Sequence, residues 1–162
     1  MEAYEARKPS YFGTPAVNLI FALNVSLEQV LKEGLDARFK RHRALGAAVQ
    51  ASLKALELEQ VPVKEEFAAH TLSAPRYPKG ITQADLLPKV QKAGAILAGG
   101  LHPAIRTEDF RIGHMGPTNI GDVLATVGAI ETALAQCGYG FAAGAGVAAA
   151  QAAYQETILR AS

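Results

Sequence analysis

After Pro15 the apolar residues Val17, Ile20, Leu23, Leu27 and Val30/Leu31 recur at spacings of three and four, which predicts a helix with one apolar face. Thr14-Pro15 suits its start, because Thr caps free N–H groups and Pro is tolerated in the first turn. Gly34 is the expected stop. A second helical pattern runs from about Leu35 to Leu56, with Leu45, Val49, Ser52/Leu53 and Leu56 on one side. Arg38, Lys40, Arg41, His42 and Arg43 occupy its other side and read as a solvated face. Beyond Leu56 the period shortens, and 58–62 and 67–77 read as two strands bounded by Pro62 and by Pro78-Lys79-Gly80. Thr82 is placed to cap a short helix reaching Ala93, with Pro88 implying a kink or a later start near Asp85. Ala95-Ile96-Leu97-Ala98 reads as a buried strand entering Gly99-Gly100, and 110–114 as another. A strong amphipathic helix follows, opened by Thr118 or Asn119 and built on Val123, Val127, Ile130 and Leu134. This order predicts an α/β domain with a small sheet and helices packed on one face.

From Gly138 to Ala150 ten of thirteen residues are Gly or Ala. That shift marks the expected end of the compact domain, so 138–162 reads as a loosely attached tail with a possible helix over 151–160. The whole chain has 162 residues, 49% of them apolar, and a formal net charge of +1. A chain of this size removes roughly 70% of its unfolded surface from water, enough to fold without metal or disulfide staples. Cys137 is alone, which excludes a disulfide scaffold. Near-neutral charge without a basic block argues against nucleic-acid binding. The charged N-terminus lacks the apolar stretch of a secretory signal, and no apolar run approaches the roughly 20 residues needed to span a bilayer. A cytoplasmic, non-membrane domain is the resulting expectation. The C-terminal Arg160-Ala161-Ser162 departs from the Ser-Lys-Leu peroxisomal signal.

Few residues invite chemistry. Gly138-Tyr-Gly140-Phe-Ala-Ala143 formally matches a dinucleotide fingerprint, but a helix precedes it where a strand is required, and the chain ends before the acidic residue the motif needs. His42, His70, His102 and His114 are scattered and lack zinc-ligand spacing, so no metal site is expected. Cys137 reads as a small buried hydrophobe. Arg111 is the exception. If Phe110 and Ile112 face the helices, Arg111 and Gly113 face the other way. An outward guanidinium beside small residues could receive a carboxylate through paired charge-assisted hydrogen bonds, or could form an ordinary surface ion pair.

Several ordered segments carry a family likeness. Tyr11-Phe-Gly-Thr14-Pro15-Ala-Val-Asn-Leu and Glu33-Gly-Leu-Asp-Ala-Arg38-Phe-Lys-Arg-His42-Arg43 resemble the junction and first small-domain helices of class V, pyridoxal-phosphate-dependent aminotransferases. Ile96-Leu-Ala-Gly99-Gly100-Leu and Phe110-Arg111-Ile112-Gly113-His114-Met115-Gly116 resemble the alanine-glyoxylate and serine-pyruvate branch. The likeness runs from about Tyr11 to Gln136. It implies the small domain of a fold-type I transferase, with a mainly antiparallel sheet: a strip at 1–14, the domain at 15–137 and the tail at 138–162.

The resemblance also implies roles. Arg111 maps onto the arginine that binds the substrate carboxylate. Tyr11 and Thr14 map onto residues that reach the cofactor phosphate of a neighbouring subunit, a role that a helix start suits. Thr14 as a simple cap stays open beside it. Gly99-Gly100 would allow close backbone approach or a plain turn. The full family enzyme exchanges amino groups between small amino acids and oxo acids such as alanine, serine, glyoxylate and pyruvate. Its Schiff-base lysine belongs to a large domain that would precede Tyr11, and none of the eight lysines here sits where the family would use one. The expectation is a C-terminal domain that contributes substrate binding, does not hold pyridoxal phosphate covalently and is inactive alone. The parent enzyme could be peroxisomal or mitochondrial. The rival reading is a non-catalytic, self-associating or protein-binding domain that uses its exposed inter-domain surface. A desulfurase-like or lyase activity is a third.

Overall fold

The computed structural model describes residues 2–9 and 13–160. The chain divides into two compact units, 1–38 and 39–162.

The first unit holds α1 (Glu2–Glu5) and α2 (Val17–Glu33). The three-and-four apolar spacing does produce α2. Gly34 ends it with φ +82°, a conformation that glycine adopts without steric cost. Thr14 does not cap it: the N-cap is Ala16, with no side-chain cap bond, and Pro15 lies outside the helix. The Pro15 carbonyl instead accepts from the Val17 N–H at 2.9 Å. No α2 residue is buried, and Leu19, Phe21 and Leu31 are 71%, 68% and 77% exposed.

Helix α3 (Leu35–Ala55) continues into the second unit, which also holds a 3₁₀ turn (Glu65–Phe67), β1 (Leu72–Ser73), α4 (Gln83–Lys92), β2 (Ala98–Gly99), β3 (Phe110–Gly113), α5 (Ile120–Gln136) and α6 (Ala145–Arg160). The three strands form an antiparallel sheet in the order β1-β3-β2. Leu45, Val49, Leu53 and Leu56 share one core with Leu86, Val90, Phe110, Ile112, Val123, Val127, Ile130 and Leu134. Tyr77 lies against Phe110 with ring centroids 5.3 Å apart. Helix α5 packs against α4 and α6. The result is the α/β arrangement of a small antiparallel sheet with helices.

Several local expectations are corrected. The segments 58–62 and 67–77 form only β1 and isolated bridges, Gln60 to Pro75 and Arg76 to Asp109. Helix α4 starts at Gln83 and carries Pro88 internally, because the Thr82–Asp85 capping box fixes its first turn. The second strand falls at 98–99 and not 95–98, which leaves Ile96 exposed. Cys137 is only half-buried, at the end of α5.

The Gly/Ala-rich segment is not loosely attached. Helix α6 begins at Ala145, and Gly146 and Ala150 are buried. The Glu131 carboxylate of α5 accepts from the backbone N–H groups of Gly144, Gly146 and Val147 at 2.8, 2.8 and 3.2 Å. It thereby serves as an N-terminal cap supplied from another helix. Small side chains let the two helices approach closely.

Candidate active-site arginine

Strand β3 alternates as expected. Phe110 and Ile112 are buried, Arg111 is half-buried and Gly113 exposed. Across the antiparallel ladder Ala98 stands opposite Arg111, and Leu72 opposite Gly113, so these four residues share the outer face. The Arg111 Nε–H donates to the Gly99 carbonyl at 2.8 Å. Among the described residues Arg111 enters no ion pair. Its Nη1 and Nη2 edge likewise makes no hydrogen bond there. A guanidinium held by Nε with its two-nitrogen edge uncommitted is shaped to take a carboxylate bidentately.

Gly99-Gly100 is a site of close approach. A Cβ at Gly99 would run into the Gln83 side chain, and one at Gly100 would meet the Asp109 carboxylate and come within 2.7 Å of the Arg106 carbonyl.

The loop leaving β3 is pinned by a residue expected on the solvated face of α3. Arg41 donates from Nη1 to the Thr118 carbonyl at 2.7 Å and from Nη2 to that of Gly116 at 3.1 Å. His42, from the same run, is buried, and Arg38 pairs with Glu33 at 2.9 Å. The Thr118 hydroxyl donates to the Met115 carbonyl, and Asn119 with Asp122 forms the capping box that opens α5. No sequence signal distinguished Arg41 from its basic neighbours, because its partners lie 75 and 77 residues away.

His114 follows β3 and is buried, its Nε2 3.1 Å from the Ser73 hydroxyl. Burial pushes its pKa down to about 4, with smaller contributions from the charges of His42 and His70. Three of the four scattered histidines therefore lie near one another, although the described residues contain no metal-holding group. Two open clefts of about 610 and 620 Å³ run along α3 and along α4, and Arg111 lines neither.

No family model matches the chain. An uncharacterized aminotransferase of Methanocaldococcus jannaschii is 38% identical over 136 residues, 84% of this chain and 35% of that protein. The alanine–glyoxylate aminotransferase 1 of Saccharomyces cerevisiae is 38% identical over 120 residues, 73% of this chain and 30% of that protein. A soluble hydrogenase small subunit of Synechococcus is 40% identical over 151 residues, 90% of this chain and 38% of that protein. The solved pyridoxamine–pyruvate aminotransferase of Mesorhizobium loti superposes with a TM-score of 0.85 at 30% identity, covering 93% of this chain and 38% of that one. The chain belongs to the class V aminotransferases. It matches the C-terminal part of these relatives and spans 30–38% of their length.

Class V aminotransferases use pyridoxal phosphate. The residues present fit a phosphate contact. Helix α2 starts without a side-chain cap and has no acidic residue in its first turn. Thr14, two residues before the N-cap, is exposed and its hydroxyl makes no hydrogen bond among the described residues. Tyr11, the other residue assigned to the phosphate, lies outside the described residues.

Proposed function

We propose that this chain is the substrate-carboxylate-binding domain of a transaminase of the alanine-glyoxylate and serine-glyoxylate type. One observation carries the reading: Arg111 stands on the outer face of β3, tethered through Nε to Gly99, with no carboxylate partner among the described residues. Pyridoxal phosphate, when bound, supplies the electron sink for exchanging an amino group between an amino acid and an oxo acid. The Arg111 guanidinium holds the carboxylate common to alanine, serine, glyoxylate and pyruvate, fixing the orientation of the adjacent α carbon. Thr14 and the start of α2 donate hydrogen bonds to a phosphate held by a neighbouring subunit. None of the eight lysines holds the cofactor covalently, so the 162-residue chain alone does not transaminate.

Titration of the ¹⁵N-labelled chain with pyruvate and with the uncharged pyruvamide tests the site. Saturable movement of the Arg111 side-chain signals by pyruvate alone, lost in Arg111→Lys, is the expected result. An equal response to both compounds sinks the assignment, as does alanine-to-glyoxylate transfer by the pure chain.

The second reading, self-association without catalysis, has its own support in α2, where Val17, Ile20, Leu23 and Leu27 are all at least half exposed. Exposed apolar faces of this extent drive association. Sedimentation at rising concentration tests it. Self-association abolished by Ile20→Glu with Leu23→Glu favours this reading, and a monomer at all concentrations removes it.

A further inference from the structure

Resting on the assignment of Arg111 to a substrate carboxylate, we infer that Gly100 and Asp109 are positioning residues that aim the Arg111 guanidinium by seating the end of β2. Asp109 is 4% exposed, and its Oδ1 is buried without a hydrogen-bond partner among the described residues. A buried carboxylate oxygen left unpaired costs stability, so its retention calls for an explanation. The oxygen lies too close to the point where a Cβ of residue 100 would stand to admit one, and the backbone of Arg106 closes the same space, with its carbonyl oxygen 2.7 Å and its Cα 2.8 Å from that point. Only a glycine seats there without moving the chain.

The consequence reaches Arg111 through two short links. Gly100 directly follows Gly99, whose carbonyl is the acceptor for Arg111 Nε–H at 2.8 Å. Asp109 lies two residues before Arg111, immediately ahead of β3, which pairs with β2 in the register Gly99 to Phe110 and Ala98 to Arg111. Asp109 is thus the wall and Gly100 the seat, and together they set the distance between the Gly99 carbonyl and the guanidinium. The same carboxylate acts on Tyr77, whose hydroxyl is pushed up to about 12 by burial and by the Asp109 charge. A side chain at position 100 displaces β2, breaks the Nε tether and releases the guanidinium into its many rotamers.

Proton exchange of Arg111 Hε in the ¹⁵N-labelled chain tests this directly, together with pyruvate affinity read from the Arg111 signals. Gly100→Ala and Asp109→Ala are the variants, the second removing the wall without adding bulk, so it decides the matter if the first does not fold. In each folded variant Hε exchange rises about tenfold, and pyruvate binds about five- to tenfold more weakly, as loss of one net hydrogen bond implies. Amide exchange in α5 stays unchanged, which separates positioning from general loosening. Wild-type Hε protection and wild-type pyruvate affinity in folded Asp109→Ala overturn the inference. A wild-type chain that ignores pyruvate overturns the carboxylate assignment instead, and the Hε exchange still decides whether Gly100 and Asp109 hold the tether.

Discussion

Arg111 and Gly99 are joined across the β2–β3 ladder by a 2.8 Å hydrogen bond from the guanidinium Nε to the backbone carbonyl. That bond occupies one of the five guanidinium N–H donors and leaves the Nη1–Nη2 edge for a ligand. Lysine cannot reproduce the arrangement, because its single ammonium has no fixed fork.

Arg41→Met removes two charge-assisted bonds to the Thr118 and Gly116 carbonyls while keeping an unbranched side chain. The expected loss is about 2–3 kcal/mol in urea denaturation, since both acceptors lose their partner. Arg41→Lys is expected to recover part of it. A stability unchanged within about 0.5 kcal/mol would show that the loop after β3 holds itself.

Glu131→Ala leaves three N–H groups at the start of α6 without their acceptor. A cost of about 2–4 kcal/mol follows from a lost cap plus lost charge-assisted bonds. Amide exchange should accelerate throughout α6 before it does so in α4 or α5. Glu131→Gln keeps an acceptor oxygen and is expected to lie between the variant and wild type.

His114 makes stability depend on pH. Its folded pKa of about 4 lies below the ordinary 6.5, so the unfolded chain binds the extra proton between these values. Stability from this group is complete above about pH 6.5 and falls as the pH drops towards 4, by an amount of order 3 kcal/mol. His114→Gln keeps a partner for Ser73 but does not titrate in this range. Its denaturation midpoint should therefore fall less steeply than wild type between pH 6.5 and 4, and parallel curves would refute the assignment.

The parts legible from sequence were those where periodicity and burial coincide. Helices α3 and α5 bury one stripe against the core, so Leu45, Val49, Val127 and Ile130 announced them. The alternation of Phe110, Arg111, Ile112 and Gly113 gave away which way Arg111 points, because a four-residue strand already shows a period of two. Strands β1 and β2, with two residues each, have no period to read. Helix α6 was anticipated only over 151–160, and its start at Ala145 and its docking were missed, because Ala and Gly carry little apolar contrast and its cap comes from Glu131 on another helix. Thr14 looked like a cap by residue type, yet the backbone enters the helix two residues later. Arg41 and Asp109 were beyond local reasoning altogether, since their roles depend on partners brought together by the fold.

Replacing the matching C-terminal segment of the yeast alanine–glyoxylate aminotransferase with this chain, and measuring kcat/KM for alanine with and without Arg111→Lys, tests whether Arg111 holds the substrate carboxylate. If Arg111 plays that role, the chimera is active and Arg111→Lys lowers kcat/KM about 100-fold, mostly through KM, as losing a bidentate pair worth about 3 kcal/mol implies. An active chimera indifferent to Arg111→Lys would contradict it.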